Sequence, residues 1–318
     1  MTDRAAAAAP RILVIKLGAL GDFVQALGPA AAIRRHHRDA AITLLTTAPF
    51  AALARASDFF DAVWIDQRPR PWQVGRWLGL RRRLRDARFD RVYDLQTSGR
   101  SGVYFRLLGP GRRPEWSGIA SGCSHPHANP ARDRMHTLDR QAEQLAMAGI
   151  PEVPPPDLSF LAAGGADFAV PIPYALLVPG GAAHRPVKRW PAERYAALAR
   201  VLDARGIKPV LLGGPGEAAL ARAIAAAAPD IVDLTGQTDF ADIAALARGA
   251  TLAIGNDTGP VHLIAAADCP TLVLFSAASD PALCAPRGAN VVILRRDDLA
   301  TLAVDEVLAG AAAWLTKV

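Results

Sequence analysis

Four polar side chains interrupt an otherwise apolar stretch at residues 252–275: Asn256, Asp257, Thr258 and His262. The run before them is typical of a strand, and the run after them, with Pro260 in its first turn, is typical of a helix. Asp257 or Thr258 would cap this helix, and the free N–H groups of its first turn could bind a phosphate. A single histidine on an apolar helix is more often a core residue, but its three polar neighbours favour a shared ligand.

A second candidate site follows the first predicted strand, in the sequence GALGD at residues 18–22. Gly18 and Gly21 would let the backbone turn tightly and approach a ligand. Asp22 lies at or near the start of the next helix, where an N-cap would contribute about 0.5–2 kcal/mol to stability. Taken alone, that structural role is the simpler interpretation. The G-x-x-G spacing does not match the dinucleotide fingerprint G-x-G-x-x-G.

A third candidate site lies between a strand that ends at residues 179–181 (Pro-Gly-Gly) and a helix that begins near Pro191. The loop between them carries basic side chains: His184, Arg185, Lys188 and Arg189. Cations at a helix N-terminus oppose the helix dipole, unless an anion such as a phosphate binds between them and the free N–H groups. A solvated basic loop and a phosphate site both fit this pattern.

Strands and helices alternate along the chain, which predicts an α/β fold with parallel sheets. In the first half, four strands are predicted, at residues 11–17, 41–47, 61–66 and 90–96. A helix at 135–150 closes that half, and a linker rich in proline and glycine follows at 151–173. We therefore expect two doubly wound, Rossmann-like domains, at 1–160 and 161–318, with the last helix able to pack back on the first domain. Such sheets bind ligands at the carboxyl ends of their strands, so a cleft between the domains is expected.

Composition narrows the classes of protein to consider. The net charge of +6 allows an anionic partner, although an arginine-rich surface explains it more simply, and no nucleic-acid partner is expected. Three scattered cysteines (Cys123, Cys269 and Cys284) predict no disulfide framework and hence a reducing compartment. The N-terminal sequence MTDRAAAAAP lacks the apolar core of a signal peptide, and no long uncharged apolar run follows, so a cytoplasmic location is expected.

Three segments together resemble the ADP-heptose:lipopolysaccharide heptosyltransferases, glycosyltransferase family 9. They are RILVIKLGALGDFVQALGPAAAIRR, LLVPGGAAHRPVKRWPAERYAALA and LAIGNDTGPVHLIAAADCPTLVLF. Their order and spacing match the family over nearly the whole chain, and GALGD, KRWP and NDTGPVHL are distinctive as a set. The resemblance implies the GT-B architecture, in which two Rossmann-like domains face each other across a cleft. It also implies an inverting, metal-independent transferase with no cofactor besides its nucleotide-sugar donor, ADP-heptose.

The resemblance further implies a role for each candidate residue. Asp22 matches the carboxylate taken as the catalytic base, which removes the proton of the acceptor hydroxyl. Lys188 matches a lysine that contacts the donor phosphates. The other residues assigned to donor binding are Gly180, Gly213, Glu217, Asp257, Thr258, Gly259 and His262. Of these, Glu217 is matched to a residue that binds the nucleotide ribose, through a looser alignment.

Acceptor contacts are predicted from position alone. Gln96, Ser98 and Arg100 follow a strand, and Gly18 belongs to the first turn, so these four residues are expected at the acceptor pocket. The sequence CSHPH at 123–127 has ligand types but lacks zinc-site spacing, and we interpret it as a loop on the acceptor side.

The arginine-rich segment 76–89 places Trp77, Leu80 and Leu84 on one helical face. This pattern predicts an amphipathic helix packed on the first sheet, with a solvated basic face. Contact of that basic face with an anionic inner-membrane surface, where a lipid-linked acceptor is presented, is the alternative.

The leading interpretation is a transferase that moves a heptose-type sugar from an ADP-sugar to a lipopolysaccharide-core or related acceptor, either lipid-linked or a free saccharide. A GT-B transferase with another nucleotide-sugar and a different acceptor is the second interpretation. A non-catalytic nucleotide-binding module is the third, and Asp22 argues against it because binding alone needs no base.

Overall fold

A computed structural model describes residues 9–109, 111, 113–161, 165–166, 168–181 and 185–316. The chain divides into two compact units between Pro156 and Asp157, where the sequence predicted a boundary at residue 160. The described residues between 151 and 173 form no strand or α-helix, only a 3-10 turn at Ser159–Leu161. Each unit is built on one parallel sheet, which confirms the α/β fold class.

The described part of the first unit has six strands: β1 (Arg11–Ile15), β2 (Ala41–Thr46), β3 (Ala62–Ile65), β4 (Arg91–Asp94), β5 (Glu115–Gly118) and β6 (His125–Pro126). Its α-helices are α1 (Leu20–Gln25), α2 (Leu27–His36), α3 (Ala51–Ala56), α4 (Val74–Asp86), α5 (Gly99–Leu107) and α6 (Thr137–Met147). The strands lie side by side in the order β3-β2-β1-β4-β5-β6, all parallel. The chain therefore reverses its direction of winding between β1 and β4, which makes their carboxyl ends the expected ligand site.

The second unit repeats this order with β12-β11-β10-β7-β8-β9. Its strands, within the described ranges, are β7 (Tyr174–Val178), β8 (Lys208–Leu211), β9 (Val232–Asp233), β10 (Leu252–Asn256), β11 (Thr271–Phe275) and β12 (Val291–Arg295). Its α-helices are α7 (Ala192–Ala204), α8 (Ala218–Ala227), α9 (Phe240–Gly249), α10 (Gly259–Ala266), α11 (Pro281–Cys284), α12 (Val304–Gly310) and α13 (Ala312–Leu315). Here the winding reverses between β7 and β10.

The central strands are apolar on both faces because helices cover a parallel sheet on both sides. Every residue of β7, β10 and β11 is buried, and β1 is exposed only at Arg11. These strands hold the turns at their carboxyl ends in place, and those turns carry the candidate functional residues.

The sequence analysis made predictions about the packing of α4 and of the last helix. Leu84 of α4 is buried, and Trp77 and Leu80 pack against the same core cluster, so the predicted amphipathic helix is confirmed. At the C-terminus, Val307 and Ala311 belong to the core of the second unit, and Trp314 packs against it. The last helices thus bury their apolar face within the second unit. The sequence analysis allowed the last helix to pack back on the first domain instead.

Candidate functional site

The carboxyl edge of the second sheet gathers the polar residues that follow β7 and β10. Gly180 and Gly181 follow Pro179 at the end of β7, and Asp257 and Thr258 come directly after β10. These two strands are hydrogen-bonded neighbours at the point where the winding reverses. The topology therefore brings two of the three sequence-predicted sites to one edge.

Asn256 ends β10 and connects these turns from inside the protein. Its Oδ1 accepts hydrogen bonds from the Trp190 N–H and the Tyr195 hydroxyl, both at 3.1 Å. Its Nδ2 donates to the carbonyl oxygens of Pro179, at 2.8 Å, and Gly180, at 3.1 Å. Every hydrogen-bonding position of the amide is thus used within the protein. Asn256 positions the loop after β7, and its predicted place in a ligand-binding cluster is wrong.

Asp257 is the electrostatic centre of this edge. Its Oδ2 accepts hydrogen bonds from Lys188 Nζ and Ser279 Oγ, both at 2.6 Å. His262 Nε2 lies 3.8 Å from Asp257 Oδ1. Burial alone would raise the pKa of Asp257, but the nearby His262 ring and the hydrogen bonds from Lys188 and Ser279 hold that pKa well below its usual range. The carboxylate is therefore ionised at neutral pH and holds the ammonium group at the edge of the sheet.

Lys188 can also bind a ligand from this position. It ends a 3-10 turn at Pro186–Lys188, and three residues separate it from the start of the helix α7 at Ala192. An ammonium group has three donors, and the hydrogen bond to Asp257 uses one of them. Arg189 has a different role, because its Nη2 donates to the Gly181 carbonyl oxygen at 2.5 Å. Arg185 is exposed, and His184 lies outside the described residues.

The N-terminus of α10 adds further donors. Thr258 is the N-cap residue, with extended backbone angles (φ −149°, ψ 160°), but its side chain does not accept the capping hydrogen bond. Gly259 follows as the first helical residue, and the unsatisfied N–H groups of this turn favour an anion. His262 is 7% exposed, and its Nδ1 has no hydrogen-bond partner among the described residues.

Glu217 connects the loops after β7 and β8. Its Oε1 accepts a hydrogen bond from the Gly181 N–H at 2.9 Å, and its Oε2 accepts one from the Gly214 N–H at 2.8 Å. A Cβ at Gly180 would overlap this carboxylate, and a Cβ at Gly213 would lie 3.0 Å from its Oε2. The two predicted donor-binding glycines therefore border the carboxylate, and the ribose contact of Glu217 stays a prediction.

Asp22 belongs to the equivalent edge of the first sheet, after β1. It is the third residue of α1, whose N-cap is Ala19, so the predicted capping role of Asp22 is wrong. Its side chain is exposed in the first helical turn. The helix dipole favours a negative charge in that turn. Asp22 is thus an accessible carboxylate on a glycine-containing turn.

Two buried charged residues near this turn were missed by the sequence analysis. Lys16 is 5% exposed, and its Nζ donates to the Leu95 carbonyl oxygen at 3.2 Å. Burial lowers the pKa of Lys16, against the nearby charge of Asp22, which raises it. Asp94 ends β4 with 0% exposure, and burial raises its pKa to about 6. Charged residues at the ends of two apolar strands were the available signal, because such residues are rarely buried without a partner.

The predicted acceptor residues have partners inside the first unit. Gln96 Oε1 accepts a hydrogen bond from the Leu17 N–H at 2.7 Å. Ser98 is the N-cap of α5, in a capping box with Ser101. The Arg100 guanidinium lies 5.7 Å from the centre of the Trp77 ring.

Gly18 has φ +113°, and a Cβ there would overlap the Phe50 ring. Its backbone conformation and its packing therefore both require glycine. The acceptor contacts of Gly18, Gln96, Ser98 and Arg100 stay predictions.

The CSHPH loop contains β6, with His127 buried directly after it. His127 Nε2 lies 3.8 Å from Glu143 Oε2. Within the described ranges, no group of three or more His, Cys, Asp or Glu side chains is arranged to hold a metal ion. No described helix has the length and apolar character needed to cross a membrane.

Two Rossmann-ordered sheets in one chain, each with its polar residues at the point where the winding reverses, define a two-domain α/β protein. Residues 77–306 match the model of glycosyltransferase family 9 (heptosyltransferase). This match spans more than half of the chain, so the chain belongs to glycosyltransferase family 9, as its motifs predicted.

Individual relatives agree with this assignment. The chain is 31% identical to lipooligosaccharide heptosyltransferase 2 of Haemophilus influenzae over an aligned stretch of 120 residues. This stretch covers 36% of this chain and 34% of that protein. The matched stretch thus spans about a third of the curated relative's length.

Solved structures match over far more of the chain. The Escherichia coli ADP-heptose lipopolysaccharide heptosyltransferase II has a TM-score of 0.79 at 21% identity, covering 96% of this chain and 99% of that one. The E. coli heptosyltransferase WaaC, solved with ADP, has a TM-score of 0.76 at 20% identity, covering 96% and 99%. These two likenesses show the fold.

Proposed function

We propose that this protein is an inverting, metal-independent glycosyltransferase that moves a heptose-type sugar from an ADP-sugar to a lipopolysaccharide-core or related acceptor. Membership of family 9 supports sugar transfer. The names of the relatives support heptose, and the ADP bound to one structural neighbour supports the nucleotide. The observation that carries the proposal is the partly buried, ionised Asp257 that holds Lys188 beside the N-terminus of α10.

The second unit would bind the diphosphate of the donor at this edge. Negative charge develops on the diphosphate as the bond to the sugar breaks. The Lys188 ammonium and the N–H groups at Thr258 and Gly259 are positioned donors for that charge, so a metal ion is not needed to stabilise it. His262 presents a further ring nitrogen there. Glu217, held between the loops after β7 and β8, would accept a hydrogen bond from the ribose.

The first unit would supply the base. Asp22 takes the proton of the acceptor hydroxyl as that oxygen attacks the anomeric carbon, and the bond from this carbon to the diphosphate breaks on the opposite face. One displacement of this kind inverts the configuration at the anomeric carbon and releases ADP. Gly18, Gln96, Ser98 and Arg100 would line the acceptor pocket. We also propose a cytoplasmic location, because Cys123, Cys269 and Cys284 form no disulfide.

Two substitutions separate the base from the phosphate contact. Asp22→Asn should lower kcat by about 10²–10⁴-fold through the loss of base catalysis, with ADP affinity unchanged. Lys188→Met should weaken ADP binding by about 10–100-fold, because a hydrogen bond to a charged group contributes about 1.5–3 kcal/mol. Transfer is measured as ADP release, and ADP affinity by calorimetry.

Lys208→Met is the matched control, since Lys208 also forms an ion pair, at 2.5 Å with Asp203, but at the amino end of β8. It should leave ADP affinity unchanged. Equal loss of ADP affinity in Asp22→Asn and Lys188→Met would contradict the assigned roles.

In a panel of nucleotide-sugars, transfer from a UDP-hexose but not from ADP-heptose would favour the second interpretation. A strict requirement for Mg²⁺ would contradict metal independence.

A further inference from the structure

Two side chains connect the turns after β1 and β4, the neighbouring strands between which the winding of the first sheet reverses. Lys16 follows β1 directly, and its Nζ donates to the Leu95 carbonyl oxygen at 3.2 Å. Gln96 makes the reciprocal connection, because its Oε1 accepts a hydrogen bond from the Leu17 N–H at 2.7 Å. Each turn thus holds the backbone of the other. We call Lys16 and Gln96 the turn latch.

The backbone of Leu17 is held on both sides by side chains. Leu17 is buried, so water has little access to the N–H that donates to Gln96. Its carbonyl oxygen accepts hydrogen bonds from Thr47 Oγ1 at 3.1 Å and from Arg68 Nη2 at 3.0 Å. Thr47 follows β2 and Arg68 follows β3, so side chains from three different loops converge on this one residue.

Gln96 is itself held in place by the buried carboxylate of Asp94. The Asp94 Oδ1 accepts hydrogen bonds from the Gln96 N–H at 3.1 Å and the Thr97 N–H at 2.9 Å. The Leu17 N–H is a donor only, so the oxygen of the Gln96 amide must face it. The Nε2 group is then the part of this amide that can serve the acceptor pocket proposed above.

The turn latch lies directly before the turn that carries Asp22. Leu17 is followed by Gly18, where conformation and packing both require glycine, and α1 begins two residues later. On the other side of Asp22, the Phe23 ring stacks on the Phe50 ring, with their centres 5.1 Å apart. The backbone is therefore fixed both before and after Asp22. Because the Asp22 side chain is exposed, its position depends on this backbone.

We propose that Gln96 is a positioning residue, which fixes the turn that places the Asp22 carboxylate against the acceptor hydroxyl and acts through the Leu17 N–H. This inference rests on the proposed function, in which Asp22 is the base. A displacement of about 1 Å at a reacting group can cost about 100-fold in rate. The hydrogen bond to Leu17 thus gives Gln96 a task separate from any contact with the acceptor.

The test compares Gln96→Met, which removes the amide oxygen, with Gln96→Glu, which keeps an oxygen for the Leu17 N–H. Transfer is measured from ADP-heptose to a heptose-free lipopolysaccharide core at saturating acceptor. Gln96→Met should lower kcat by about 10–100-fold, Gln96→Glu should retain most of it, and ADP affinity should be unchanged in both. Added to Asp22→Asn, Gln96→Met should have little further effect on kcat, because the base that it positions is already gone.

Hydrogen exchange of the Leu17 amide, followed by NMR, measures the turn latch without any substrate. Exchange should be faster than in the wild type in Gln96→Met and close to it in Gln96→Glu. Gln73→Met is the matched control, since Gln73 Oε1 also accepts a backbone N–H, that of Arg70 at 2.9 Å, within its own loop. It should leave both kcat and the exchange of Leu17 unchanged. Circular dichroism confirms that each variant is folded.

The outcomes separate this inference from the proposed function. Faster Leu17 exchange with an unchanged kcat in Gln96→Met would overturn the inference and make Gln96 purely structural. A higher KM for the acceptor at unchanged kcat would overturn it in favour of acceptor contact alone. A full additional loss of kcat in the Asp22→Asn background would show that Gln96 does not act through the base. Wild-type kcat in Asp22→Asn would instead refute the proposed role of Asp22, and this inference with it.

Discussion

Replacing Gly180 by alanine should release the loops after β7 and β8, because the added methyl group overlaps the Glu217 carboxylate. The glutamate side chain is flexible and can rotate away from the methyl group. It then loses the hydrogen bonds from the Gly181 N–H at 2.9 Å and the Gly214 N–H at 2.8 Å. Both loops lie at the candidate donor site, so the substitution tests how that site is held together.

The magnitude follows from these two hydrogen bonds. A hydrogen bond to a charged group contributes about 1.5–3 kcal/mol. Gly214 is exposed and Gly181 is partly exposed, so water can replace the carboxylate at both N–H groups. We therefore take the lower end of the range and expect Gly180→Ala to reduce the free energy of unfolding by about 3 kcal/mol.

Guanidinium denaturation of a set of four variants measures this effect. Gly216→Ala is the control, because Gly216 lies in the same loop as Gly214 and a Cβ added there would meet nothing within 4 Å. It should change the free energy of unfolding by less than about 0.5 kcal/mol. Glu217→Ala removes the same hydrogen bonds, so adding Gly180→Ala to it should have little further effect, with a coupling of about 2–3 kcal/mol between the two sites.

Two results would refute this reasoning. If Gly180→Ala and Glu217→Ala destabilised the protein additively, the glycine would not be making room for that carboxylate. If Gly180→Ala were as mild as Gly216→Ala, the carboxylate would not occupy the position that the structure gives it.

Two further predictions concern buried polar groups. Burial raises the pKa of Asp94 from its usual value of 3.8 to about 6 in the folded protein. The folded state therefore binds more protons than the unfolded state between these values, and stability should fall by about 3 kcal/mol as pH rises through that window. Asp94→Asn should abolish this slope in urea denaturation at several pH values, and an unchanged slope would assign it to another group. Asn256→Ala leaves the Trp190 N–H, the Tyr195 hydroxyl and two carbonyl groups without their partner, and should lower the free energy of unfolding by about 3 kcal/mol or more. A loss below about 1 kcal/mol would mean that water replaces the amide.

The sequence was most informative where the signal is local. Alternating apolar runs and turns predicted both Rossmann-like sheets, and the end of each run lies close to the end of its strand, as for 41–47 against Ala41–Thr46. The strands β5 and β6 were missed. β5 has four residues and β6 has two, His125 and Pro126, so neither contains an apolar run long enough to recognise.

Predictions for single residues were wrong where one residue type is equally favourable in more than one local position. Asp22 was expected to cap α1 because aspartate is a favoured N-cap, but acidic residues are also favoured inside the first turn. The structure places it there, after Ala19. Asn256 was grouped with Asp257 because the two are adjacent, yet one side chain faces the interior and the other the edge of the sheet. Adjacent residues at the end of a strand point in opposite directions.

By itself, the sequence determined the family, the alternation of strands and helices apart from β5 and β6, and the turns that hold polar side chains. Parallel strands end at a common edge, so turns recognised separately could be expected to meet there. Only the tertiary structure decided which groups pair across that edge. Lys188 and Asp257 are 69 positions apart, and Gly181 and Glu217 are 36 apart. Such pairs form because a buried polar group must find a partner wherever the packed chain provides one, and no local pattern records that distance.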